Sequence, residues 1–121
     1  MPVRWAAIEN DTSGQSLLLA QDPSKTGVYC SRDVWENHIL VRHPEVNGLR
    51  DLILTAIQHP TRQEVDPEDH RAIRYYADVP KVSVESRHPL WLRVVVKYVY
   101  PPERKNERTG LVSSVYLVRE D

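Results

Sequence analysis

The stretch "WENHILVRHPEV", Trp35 to Val46, places two histidines and an arginine in a segment that otherwise reads as a short amphipathic helix. Histidine titrates near neutrality and can move a proton, and arginine can grip a phosphate through two parallel N–H donors. Together they are the chemistry for cleaving RNA without a metal: a base for the 2′-hydroxyl, a cation on the phosphoryl oxygens and an acid for the departing 5′-oxygen. Advancing about 100° per residue from Val34, His38 and Arg42 fall between Val41 and Ile39, on the side of Val34 and Trp35. Two basic groups at i, i+4 repel slightly, so helix stability does not explain the pair. Half-buried between helix and sheet, it would either line a phosphate site or hydrogen-bond backbone and acidic groups at the junction. A metal site is the weakest reading. His38 and His43 are five residues apart, and no H-x-x-x-H or Cys/His cluster occurs.

The elements that must position these residues are set by caps and breakers. Ser31 is a fitting N-cap, with Asp33 and Glu36 in the first turn. Pro44 disfavours helical geometry at His43, so the helix ends near Arg42. Asn47 caps a second helix, "GLRDLILTAIQH", with Leu49, Leu52, Ile53, Ala56 and Ile57 on one stripe, closed by Pro60. Beyond Pro60 the period changes to two. "TRQEV" is a candidate strand and "DPEDH" a turn. In "RAIRYYADV", Ile73, Tyr75, Ala77 and Val79 face one way, Arg74 and Tyr76 the other. In "LWLRVVVKYVY", Leu92, Val94, Val96 and Tyr98 form one face and Arg93 and Lys97 mark the other. "PPERKNERTG" reads as a charged hairpin loop and "LVSSVYLV" as the last strand.

The expected fold class is therefore α+β, two N-terminal helices packed on a three- to four-stranded antiparallel meander. Residues 1–30 read as a partly ordered arm, in which Trp5 and Ile8 could act as pins, "SLLLAQ" is a strand or an arm against the core, and "DPSKTG" is a turn. Residues 31–121 read as a single domain.

With 121 residues, 40% hydrophobic and 27% charged, the chain suits one globular domain. No apolar window is long enough to cross a membrane, and the first residues carry no signal-peptide core. A lone cysteine, Cys30, fits a reducing compartment, so the cytoplasm is the expected location. The net charge of −1 hides an asymmetry: residues 1–70 hold 6 Lys/Arg against 11 Asp/Glu, residues 71–110 hold 9 against 4. A basic second half could be solvated strand faces or a surface for an anionic ligand.

The order of these motifs carries a resemblance. "W-x-x-H-I-x-x-R-H-P-E" (Trp35, His38, Ile39, Arg42, His43, Pro44, Glu45) precedes Ile57 and Pro60, then Tyr75 and Tyr76, "LRVVV" from Leu92 to Val96, and "SVY" from Ser114 to Tyr116. This resembles the phage and bacterial nuclease-like domains grouped with barnase, EndoU, colicins and RelE (the BECR fold), over most of the chain. Ser114 and Val115 stand where Thr-Ala is the pattern; Ser114 keeps the hydroxyl. The resemblance implies a metal-independent ribonuclease-like domain, toxin-like or phage-derived, needing no cofactor. RNA would be the substrate, and a neutralising protein the expected partner of a toxin. His38 would be base or acid and Arg42 the phosphate clamp. His43 would assist, with Ser114 and Tyr75 lining the cleft. Glu45, Arg74, Tyr76, Arg93 and Tyr116 would contact substrate. The alternative is a non-catalytic RNA- or protein-binding module of the same fold.

Overall fold

The computed structural model describes residues 8, 15–81, 87–102 and 106–119. Six strands form one mixed sheet: β1 (Ser16–Gln21), β2 (Gly27–Ser31), β3 (Arg62–Val65), β4 (Ala72–Asp78), β5 (Leu90–Val99) and β6 (Thr109–Arg119). Their order across the sheet is β1-β2-β6-β5-β4-β3. The fold class is α+β, but the expected arrangement is corrected in two respects. The sheet has six strands rather than three or four, and the two helical segments between β2 and β3 follow a β-hairpin that belongs to the same sheet. That hairpin, β1–β2, comes from the stretch expected as an arm. It joins the sheet through a short parallel pairing, Val28↔Gly110 and Tyr29↔Leu111. Ile8 is fully buried in the core, whereas Trp5 lies outside the described residues.

The strands after Pro60 form where their alternation places them. β3, β4, β5 and β6 pair antiparallel in sequence order. Tyr75, Ala77, Leu92, Val94, Val96, Tyr98, Val112 and Val115 join the core, while Arg74, Arg93 and Lys97 face away from it. A bulge between Val95 and Val96 resets the register without breaking the pairing.

The helical segment between β2 and β3 obeys its predicted punctuation at Ser31 and Pro44 but not at Asn47, which caps no helix. The second helix starts at Arg50, and the Asn47 side-chain oxygen accepts from the Arg50 guanidinium instead. The Ser31 hydroxyl accepts the Val34 N–H at 3.2 Å, and His43 stands outside helical geometry before Pro44. The first helix, α1, is not uniform. It is α-helical over Arg32–Val34, π-helical over Trp35–Ile39 and α-helical again over Leu40–Arg42. The Leu40 N–H reaches back five residues to the Trp35 carbonyl. A 3-10 turn, Pro44–Leu49, leads into α2, Arg50–Gln58, which buries Ile53, Ala56 and Ile57 against β4, β5 and β1. Burying Ile53 and Ile57 contributes about 1.5–3 kcal/mol each. No helix among the described residues is long and apolar enough to cross a membrane.

Candidate functional site: an arginine–tyrosine row

The π turn decides the fate of the expected helix site. Trp35 and Ile39 are buried four residues apart, and the wider turn rotates the neighbouring side chains away from the arc an ideal helix would give. His38 and Arg42 are exposed, and so is Val41. His38 pairs only loosely with Asp33, Nε2 to Oδ2 at 3.5 Å, both side chains more than half exposed. The expectation that His38 and Arg42 face inward is corrected: they look into solvent on the outer side of α1.

The structure assembles other predicted residues instead. Register places Arg62 opposite Tyr76, Tyr76 opposite Arg93, and Arg93 opposite Tyr116. Four neighbouring strands thus present an alternating cation–aromatic row on the face away from the core. The Arg93 guanidinium carbon lies 5.2 Å from the Tyr76 ring centroid and 5.3 Å from that of Tyr116. Arg62 sits 5.4 Å from Tyr76 and 5.3 Å from Trp91, within the range where ring faces attract cations. Arg93 Nε donates to the Tyr76 hydroxyl at 2.9 Å and Nη1 to the Tyr116 hydroxyl at 3.1 Å. Tyr76 in turn donates to Glu64. Burial, then the bond to Glu64, pushes the Tyr76 phenol up. The same bond holds the Glu64 carboxyl below the usual range.

The row ends at the corner after α1. Beyond Leu111, β6 pairs with no strand on its β2 side among the described residues, and the helical segments pack there. His43 reaches Tyr116, ring centroids 5.3 Å apart and tilted by 30°. His43 Nδ1 lies 3.5 Å from Glu45 Oε1. Ser114, half-buried two residues before Tyr116, shares its face by alternation. Arg74 is tied down by Asp66 at 3.2 Å and Glu64 at 3.8 Å. Of the expected site, His43, Glu45, Ser114, Arg74, Arg93 and Tyr116 share this face or its rim. Tyr76 lies on the same face but is 1% exposed, so its expected contact with substrate is corrected to a structural role.

Tyr75 does not. It points into the core, its hydroxyl 2.5 Å from that of Tyr98, which donates to Asp22 Oδ2 at 2.7 Å. Its place as a cleft-lining residue is corrected to a buried structural one. Asp22, 4% exposed, also accepts the Ser24 and Thr26 N–H groups, closing the β1–β2 turn. Arg108 lies 3.9 Å over the Tyr98 ring.

Sequence reasoning left Arg62, Glu64 and Trp91 out of the site. The signal was cross-strand register: Arg62, Tyr76 and Arg93 alternate correctly, but which residues stand opposite cannot be read from one strand at a time. The Trp91 indole N–H is buried with no acceptor among the described residues, and its ring meets Tyr76 edge-on at 5.2 Å. Among the described residues no three His, Cys, Asp or Glu side chains are grouped as a metal ion needs. Comparison of the chain with family models, curated proteins and solved structures gave no match.

Proposed function

We propose that this is an RNA-handling domain of the metal-independent ribonuclease type, whose working site is the corner where His43 meets Tyr116 and Arg93. The observation that carries the reading is the placement of His43. It is the one histidine of the helix motif set on the sheet, with Glu45 beside Nδ1 and the phenol held by Arg93 beside its ring. Glu45 orients the imidazole, which leaves Nε2 to take or give a proton. Arg93 offers a guanidinium for a phosphate, and the half-buried Tyr116 ring offers a surface for a base. Two helical segments leading into the β3–β6 meander are in keeping with the BECR-type arrangement the motif order implies.

Bulk RNA incubated with purified protein and a chelator tests this. Cleavage by the native chain is expected, with little left in His43→Ala and weaker cleavage in Arg93→Ala. Equal cleavage by the native chain and His43→Ala would sink the assignment. A second reading, RNA binding without turnover, draws on the hydrogen bonds that Arg93 and Tyr76 already make to each other. Such a pre-tied surface suits holding a strand more than reacting with it. Salt-sensitive RNA retention with no product would favour it.

A further inference from the structure

On the helix side of the sheet, away from the arginine–tyrosine row, a cavity of about 610 Å³ opens between the β1–β2 turn and the end of α2. Leu18, Ala20 and Pro23 supply apolar wall, Gln21 and Gln58 supply amides, and Asp22 and His59 complete the lining. The volume lies within the roughly 300–1,000 Å³ usual for small-molecule sites. Asp22 sets its electrostatics. The carboxylate is 4% exposed and takes its hydrogen bonds from two backbone N–H groups and two phenols, all neutral donors. Among the described residues no lysine, arginine or histidine stands within ion-pair distance of it; Arg108 stacks on the Tyr98 ring instead. Buried charges are ordinarily paired with an opposite charge.

A second source of negative potential meets the first. α2 ends at Gln58, and its last carbonyls have no further helical N–H to bond, so the negative pole of the helix falls at the cavity. The turn-capping role of Asp22 accounts for Oδ1, which takes both backbone bonds. It does not account for a roomy, partly apolar cavity against the same group.

We propose that this cavity binds a small organic cation, an amine or guanidinium on a short apolar stem, with Asp22 as its counter-charge. Titration of the full chain with butylamine, butylguanidine and the uncharged butanol, monitored by backbone amide NMR shifts, tests it. Saturable shifts are expected over residues 18–22, 24, 58 and 59 with the two cations. Butanol should bind at least about tenfold more weakly, the scale of one charge-assisted hydrogen bond. Because Asp22→Asn could loosen the turn, Gln58→Trp provides a second variant. It fills the cavity, leaves Asp22 in place, and should abolish cation binding with the melting temperature retained. Butanol binding as well as the amines would overturn the counter-charge role. No saturable shifts, or shifts elsewhere, would overturn the site, and neither result depends on RNA.

Discussion

Arg93 stands directly across the β5–β6 ladder from Tyr116, close enough to share both a ring contact and a hydrogen bond, Nη1 to phenol oxygen at 3.1 Å. The same guanidinium serves Tyr76 on its other side. One side chain therefore joins three strands.

Arg93→Ala should cost about 1–3 kcal/mol, because two cation–ring contacts and two hydrogen bonds go together. Arg93→Lys should recover less than half, since an ammonium has no planar fork to reach both phenols. Urea unfolding of the three proteins gives the comparison. A lysine variant as stable as the native chain would show that charge alone suffices.

His43 and His38 should behave oppositely although they share one helix motif. His38→Ala, at an exposed position, should leave stability within about 0.5 kcal/mol and RNA turnover nearly unchanged. His43→Ala should lower turnover about a hundredfold, the usual scale of a lost proton-transfer group. Single-turnover cleavage of a labelled RNA separates the two. A larger loss in His38→Ala would return the site to the outer side of α1.

Asp22 should prove the costliest polar residue in the fold. Asp22→Ala strands two backbone N–H groups and the Tyr98 hydroxyl, a loss of about 2–4 kcal/mol. Tyr98→Phe should cost about 1–2 kcal/mol, and the double variant less than the sum, because both remove the same bond. Thermal melts of the cycle measure the coupling, and strict additivity would contradict the network.

Alkali should destabilise the fold in part through Cys30. Burial pushes its thiol from 9.0 up to about 12. Between those values the unfolded chain has lost the proton and the folded chain keeps it. The folded state then binds more protons, so stability falls as pH rises, by at most about 1.4 kcal/mol per pH unit from this group. Tyr75 and Tyr98, raised first by burial, act in the same direction at still higher pH. Urea melts from about pH 8 to about pH 11 should show a shallower decline in Cys30→Ala. Parallel declines would mean that Cys30 is not buried as a thiol.

Local signals carried most of the secondary structure. Ser31, Pro44 and Pro60 marked the helix limits, and alternation in β4 and β5 separated Tyr75 from Tyr76 and Val94 from Arg93. What a single chain could not reveal was non-local or subtle. The parallel docking of β2 on β6 joins segments far apart in the sequence. One extra residue in the turn after Trp35 was enough to move His38 from groove to solvent. Tyr75 was placed on the right face but given the wrong task, because its partner Asp22 lies in a turn distant in sequence.

β6 sits third in the sheet, between β2 and β5, yet of the six strands it is the last to leave the ribosome. The N-terminal hairpin and the β3–β5 meander can each pair within themselves beforehand, but no strand joins the two halves until β6 arrives. Folding is then committed by the last of the six strands, with a large loop to close first. A ribosome-tethered chain lacking β6 would leave two sheet pieces joined by no strand and bridged only by α2, which packs on β1, β4 and β5. The Val28↔Gly110 contact is thus the latch of the sheet: it belongs to a pairing of only two residue pairs, the sole strand-to-strand link between the hairpin and the meander among the described residues.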